Sequence, residues 1–432
     1  MASIEAVLLG AGQRGRDNVG RFAEDHPEEL KFVAVADPVE GRRKQFAQRH
    51  NIPEDRCFAS YDDLLELPQM TPVCFNATMD LEHRDSALKA LARGYHLFLE
   101  KPMATDPLSC LEIQAAARKA GRMVQICHPL RYTTFYQAIK RLLEEGRIGK
   151  ILSLSMYENI GYWHYAHSYV RGNWANSGRS GPLILTKCCH DMDIATWMAD
   201  QKVQSVSSFG TLTHFRRESA PEGAPERCTD GCPAEATCPF YAPAFYLRGG
   251  NLWPVSVISL DPSPEARLQA LKEGPYGRCV FHSDNDVPDH QVVNVQLTGG
   301  ITLDFAVRAH TYYCFRTIRI LGTEGELNGH MEKGKISIDR FQQGLGEEHP
   351  AEHILPRQIE GGHGGGDPGV IRNFLRCYRE NDFDGIEHSL QIAVEGHLLS
   401  FAAEEARRSG AVVDMDEFKN RVKQAKDEHQ PA

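Results

Sequence analysis

No run of this chain is long and apolar enough to span a bilayer. Basic residues are in the minority, 48 Lys and Arg against 58 Asp and Glu, and the formal charge of −10 leaves no electrostatic footprint for nucleic acid or an anionic membrane surface. Internal repeats and low-complexity segments are absent. Met1 to Glu5 lead directly into an apolar run without a signal-peptide pattern, so a cytoplasmic location is expected. There, the twelve cysteines are expected as buried thiols or metal ligands rather than disulfides. What is present is ordinary for a globular protein, 41% apolar and 25% charged residues, and 432 positions suffice for two domains.

The organising stretch is Ala6 to Gly15, AVLLGAGQRG. A short apolar run bounded by glycine reads as a buried parallel strand, and the residues after it open a helix. In the GxGxxG turn, Gly10 permits the tight reversal, Gly12 lets a pyrophosphate approach the backbone, and Gly15 lets helix and strand pack closely, with Gln13 and Arg14 between them. The free N–H groups of the helix start favour a doubly negative ligand. A second strand, Phe32 to Ala36, ends in Asp37, whose carboxylate suits the two ribose hydroxyls of an adenosine. An acid there repels a 2′-phosphate, so NAD is favoured over NADP, although Arg42 and Arg43 stand close behind. The plainer alternative makes Asp37 a turn residue before Pro38.

Up to residue 128, strands and helices alternate as a doubly wound sheet requires. Val73 to Thr78 is a strand leading to a loop with His83, and His96 to Leu99 is a strand running into Glu100-Lys101-Pro102. From residue 129 the chain reads as α+β: a helix Phe135 to Glu145, strands Lys150 to Glu158, Gln291 to Leu297, Ile301 to Ala309 and Thr317 to Leu321, and late helices Val370 to Glu380 and His388 to Ser409. Gly299-Gly300 is expected as a hairpin turn, and Asp414 to Ala432, being charged, is expected to fray.

The chain resembles the Gfo/Idh/MocA oxidoreductases. The residues that carry the likeness are Gly10 to Gly15, Asp37, Asn76-Ala77-Thr78 with His83, Glu100-Lys101-Pro102, Gly146 to Lys150, and the His190…Asp193 pair. The resemblance implies an α/β fold. A Rossmann domain over 1–128 precedes an α/β substrate domain over 129–432, whose large, mostly antiparallel open sheet often forms a homodimer or homotetramer interface. It also implies dinucleotide contacts from Thr78, His83, Glu100 and Lys101, and proton chemistry shared by Lys101 and His190. The family's acid four residues before the histidine is here Thr186, which cannot hold a proton near neutral pH, so His190 must carry more of the work or Lys187 or Asp191 has moved in.

Read from the residues alone, Lys101 lies just past the carboxyl end of a parallel strand, where ligands bind in such sheets, or else is a surface lysine paired with Glu100. His190 is a proton carrier or a structural histidine at a helix start. Tyr157 to Trp174 concentrates aromatic and hydrogen-bonding groups, including Tyr162, Trp163, His164, His167 and Arg171; the composition suits a sugar ring, and equally an aromatic subunit contact. Gly361 to Asp367, with His363, is either a ligand-contacting loop or a linker in which Asp367 caps a helix. A segment over about 216–280, long against the pattern of the family the chain resembles, carries Cys228, Cys232 and Cys238, with Cys279 as a fourth candidate ligand and His282 as its substitute. Structural zinc is expected, and an iron–sulfur cluster or free thiols are the alternatives.

Together these readings lead to an NAD-dependent oxidoreductase acting on a sugar, glycoside or cyclitol hydroxyl. Two rivals stand beside it: an NAD-dependent glycosidase or lyase working by transient oxidation and elimination, and a non-catalytic NAD-binding regulator.

Overall fold

The computed structural model describes residues 2–248, 250–342, 351–359 and 361–428. Its first layer is a six-stranded parallel sheet of β1 (Ile4–Leu9), β2 (Leu30–Ala36), β3 (Cys57–Phe58), β4 (Val73–Asn76), β5 (His96–Leu99) and β6 (Val124–Ile126), in the order β3-β2-β1-β4-β5-β6. These are apolar runs because helices cover both faces of the sheet, so no face is left for polar residues. The order reverses at β1, and that switch point opens the crevice in which such sheets bind ligands.

Register decides what lines the crevice. Leu9 pairs with Ala36 and Asn76, Asn76 with Leu99, and Leu99 with Ile126. The residues one step further on, Gly10, Asp37, Ala77, Glu100 and Cys127, therefore stand in a row along the carboxyl edge. Backbone hydrogen bonds carry the ladder one step past the strands: Gly10 N to Ala36 O at 2.8 Å, Ala77 N to Leu9 O at 2.7 Å, Glu100 N to Asn76 O at 2.9 Å and Cys127 N to Leu99 O at 2.8 Å.

The second sheet has nine strands: β7 (Ile151–Gly161), β8 (Val203–Thr211), β9 (His290–Leu297), β10 (Thr302–Thr311), β11 (Phe315–Gly322), β12 (Gly325–His330), β13 (Lys335–Arg340), β14 (Glu352–Ile354) and β15 (Val413–Asp414). Their order is β14-β13-β12-β11-β7-β10-β9-β8-β15. All pairs are antiparallel except β7 with β10. The turn expected between β9 and β10 is there, with Gly299 and Gly300 at φ 77° and 79°. β7 starts with one face exposed and finishes fully buried from Glu158 to Gly161, which carries Glu158 and Asn159 into the interior.

Three helices join the layers. Cys189–Ala199 packs against Phe383–Ser409, which also reaches β8 and the helix Pro107–Ala120. The helix Gly366–Glu380 returns to the parallel sheet, where Phe374 meets Phe75 and Phe98 edge-on or tilted at 5.9 and 5.7 Å.

One expectation is corrected at the C-terminus. Met415–Glu428 forms a helix rather than fraying, because Met415, Phe418 and Val422, at i, i+3 and i+7, make an apolar stripe that is buried in the main core. Residues 429–432 lie outside the described residues. No helix among the described residues is long and apolar enough to cross a membrane.

Candidate active site

The glycine turn has the shape a pyrophosphate needs. Gly10 adopts φ 85° with its α-carbon against Ala77, where a Cβ would overlap the carbonyl. A Cβ on Gly15 would overlap the Gly10 carbonyl oxygen, whereas one on Gly12 would meet nothing within 4 Å. The crowded glycines hold the turn and the open one leaves room above it. Half-buried Gln13 follows. Arg14 reaches across the crevice, donating from Nε to Glu100 Oε1 at 2.8 Å and from Nη2 to Asp367 Oδ1 at 3.0 Å. Burial pushes the Asp367 carboxyl up, but Arg14 and His363 outweigh it and hold it well below the ordinary range. Asp367 thus ties the glycine turn to a late helix instead of capping that helix.

Asp37 is buried at the row's edge. Its Oδ2 accepts from Ala11 N at 2.7 Å and Oδ1 from Val39 N at 2.8 Å, while Arg43 spends Nη1 on the Asp37 carbonyl oxygen at 2.6 Å.

Lys101 follows β5, across a cis peptide to Pro102. Its Nζ donates to the Thr186 carbonyl oxygen at 2.8 Å and lies 5.6 Å from the centroid of the Trp174 ring. This contact brings the first sheet's edge to the second domain. His190 lies beside it, buried, with Nδ1 lacking any hydrogen-bond partner among the described residues. Burial, with Lys101, His363 and His128 nearby, pushes the His190 imidazole well below its ordinary pKa, so the ring is neutral. His363 closes this side at 5.3 Å from His190, ring to ring, and its Nδ1 lies 3.1 Å from both oxygens of Asp367.

Beneath the site runs a buried chain of charge. Lys187 Nζ is 3.1 Å from Glu158 Oε1, and Arg316 Nε lies 2.7 Å from Glu158 Oε2 and 2.8 Å from Asp191 Oδ1. Asp193 is paired with Arg131 and His128 in the same layer. Burial pushes Glu158 up against the pull of Arg316 and Lys187. His164 stands over this chain, its Nδ1 3.4 Å from Cys314 Sγ, and burial pushes it well down.

Several expected contacts are turned away from the crevice. His83 is fully buried, with Nδ1 2.6 Å from the Pro102 carbonyl oxygen and Nε2 3.1 Å from that of Thr78, so it holds the lysine loop and is too enclosed to touch a ligand. Thr78 Oγ1 bonds to Asn76 Oδ1 at 2.8 Å within its own turn. The Thr186 hydroxyl turns back to Pro182 O at 3.3 Å, and only its carbonyl serves the site. Asp191 is spent on Arg316. His167 bonds Tyr246 Oη at 2.7 Å and stacks on Tyr276, and Arg171 donates to the carbonyl oxygens of Arg278 and Phe240, both at 2.7 Å. Both side chains are fasteners for the insertion. Trp163 packs between Phe245 and Trp253 of the insertion, and Tyr162 faces Phe240 and Tyr312.

The zinc expectation finds no support among the described residues, although the thiols of Cys228 and Cys232 lie near that of Cys238, and Cys228 near Cys279. Among the described residues, the sulfurs of Cys228, Cys232, Cys238 and Cys279 do not gather as three or more within 4.8 Å, and all are free. Cys228 packs into the insertion's own apolar core with Ala242, Tyr246, Val255 and Leu271, whereas Cys279 joins the main core. His128, Cys189 and His397 do converge within 4.8 Å. There, however, His397 Nε2 accepts from Met103 N at 2.8 Å and Nδ1 meets Ala393 O at 2.7 Å. Burial pushes the Cys189 thiol up to about 12, opposed by the nearby Lys101 charge.

Residues 4–128 match the Gfo/Idh/MocA oxidoreductase family, NAD-binding Rossmann fold, and 140–413 match that family's C-terminal alpha/beta domain. The chain belongs to the Gfo/Idh/MocA oxidoreductase family. It is similar to YteT of Bacillus subtilis, an oxidoreductase by name, at 26% identity over 77% of this chain and 78% of that one. It is also similar to scyllo-inositol 2-dehydrogenase (NAD(+)) of Bacillus subtilis at 27% identity, over 48% of this chain and 58% of that enzyme. A solved structure of levoglucosan dehydrogenase with NADH and levoglucosan superposes with a TM-score of 0.69 at 15% identity, covering 96% of this chain and 99% of that one, which supports the fold. The row of residues on the sheet edge lies within the part of the chain that matches the NAD-binding Rossmann fold.

The sequence pattern did not single out Asp80, Glu158, Trp174, Arg316 or His128. Glu158 and Trp174 lay within the aromatic stretch, and a carboxylate at the end of an apolar strand was the available signal for Glu158. Arg316, in an ordinary alternating strand, gave none.

Proposed function

We propose that this chain oxidises a ring hydroxyl of a sugar, glycoside or cyclitol with NAD, with Lys101 and His190 handling the hydroxyl proton. The observation that carries the reading is the Lys101 ammonium, fixed at 2.8 Å on Thr186 O where the two domains meet, beside a buried His190 nitrogen that lacks a partner among the described residues. The residues present fit the dinucleotide: Gly12 leaves open space for phosphates, and the buried Asp37 carboxylate has lone pairs left for ribose hydroxyls. Arg43 is spent on a backbone carbonyl, which favours NAD over NADP. Bound NAD supplies the two-electron acceptor for the carbon-bound hydrogen.

The protein's part is orientation and proton handling. The neutral His190 imidazole offers Nδ1 to the substrate hydroxyl, satisfying an atom otherwise buried without a partner. Lys101, as the free amine, takes the hydroxyl proton when the carbon–oxygen double bond forms, and as the ammonium returns it in the reverse direction. His363 and Trp174 border the same space, and their ring faces and edges suit a polyol. The test is to incubate purified protein and NAD with a panel of sugars, cyclitols and aryl glycosides, following reduced nicotinamide and released aglycone together. Net reduction with a free sugar or cyclitol supports the reading. Aglycone release without net reduction overturns it.

A further inference from the structure

Lys101 has no ion pair among the described residues, although its ammonium is half-buried in a site crowded with titratable groups. His164, Cys189, His190 and His397 all face it from other elements. None of them is anionic near neutral pH, because an imidazole is neutral or cationic there and burial keeps the thiol protonated. The neighbouring carboxylates are committed elsewhere: Glu100 to Arg14, Asp191 to Arg316, and Asp193 to Arg131 and His128. One acid remains. Asp80, on the turn after β4, is 7% exposed, and its Oδ2 accepts from Trp174 Nε1 at 2.8 Å. That indole is the ring 5.6 Å from the Lys101 Nζ. A carboxylate drawing on the indole N–H makes the ring face more negative, which strengthens its hold on an ammonium.

We propose that Asp80, acting through the Trp174 indole, is a positioning residue that fixes the Lys101 ammonium over the crevice and provides its counter-charge. Burial pushes the Asp80 carboxyl above its ordinary range, opposed by His83, Lys101 and the Trp174 hydrogen bond. As pH falls Asp80 therefore neutralises earlier than an ordinary aspartate, and Lys101 loses its partner with it. The catalytic consequence rests on the role proposed for Lys101; the charge coupling does not.

The experiment uses the NAD-loaded protein and an amine-acylating reagent, with modification of Lys101 read by peptide mass spectrometry at a fixed pH. In Asp80→Asn the ammonium loses its counter-charge and its anchor, and Lys101 is acylated several-fold faster. Asp80→Glu restores the slow rate, and Trp174→Phe lies between. Equal rates in wild type and Asp80→Asn overturn the proposal. With an active substrate, the pH profile of kcat/KM shifts in Asp80→Asn and returns in Asp80→Glu, whereas a merely structural role would lower the rate alike at every pH. If the acylation rates change as expected and no polyol reduces NAD, the coupling stands and the proposed function fails.

Discussion

Gly12 and Gly15 stand three residues apart and answer opposite demands. A methyl group on Gly15 would run into the Gly10 carbonyl, so Gly15→Ala is expected to destabilise the fold by about 2 kcal/mol in denaturant unfolding. On Gly12 it would meet nothing, so Gly12→Ala leaves stability within about 0.5 kcal/mol while NAD titration shows weakened binding. The spacing of the motif was enough to tell these roles apart. Lys101→Ala should keep NAD affinity and lower kcat by about a hundredfold or more, measured with any substrate from the panel. The direction a side chain points was harder to read. Residues 162 to 171 carry chemistry at nearly every position, yet His164 faces the charged layer while His167 and Arg171 fasten the insertion. A helical turn has two sides, and composition does not say which is inward.

Elements were legible wherever period and flanking turns agreed. The parallel strands came from apolar runs, and their register then placed Gly10, Asp37, Ala77 and Glu100 in one row without further information. What the pattern lacked was the long-range partner. Gly366–Glu380 looked like any amphipathic helix, yet it packs on the first sheet and its Asp367 takes Arg14 from the glycine turn. Arg14→Ala leaves Glu100 and Asp367 buried without their cation, and a loss of about 3 kcal/mol is expected in denaturant unfolding, together with weaker NAD binding. The C-terminal helix teaches the converse. Its charges suggested fraying, but three apolar residues on one stripe, Met415, Phe418 and Val422, were sufficient to dock it.

At the scale of the molecule, buried histidines set the acid limit. Burial pushes His167 and His397 down to about 3 from an ordinary 6.5. The unfolded chain therefore binds more protons between those values, so stability is full above about pH 6.5 and falls as pH drops; at pH 5 each ring costs about 2 kcal/mol. The carboxyls of Asp193 and Asp367, held low by their cations, add stability that is present above the ordinary carboxylate pKa and lost only at still lower pH. A thermal scan should show Tm declining from just below pH 6.5, and a flat profile to pH 4 would contradict the burial described. The whole account turns on where the two domains meet, with Lys101 of the first sheet's edge held on Thr186 of the second domain. A crystal structure with NAD and a polyol from the panel measures this directly. The account predicts the Lys101 Nζ within about 3.2 Å of the hydroxyl on the carbon facing the nicotinamide, with His190 on the same oxygen. A dinucleotide seated elsewhere, or a polyol whose nearest hydroxyl ignores Lys101, would contradict it.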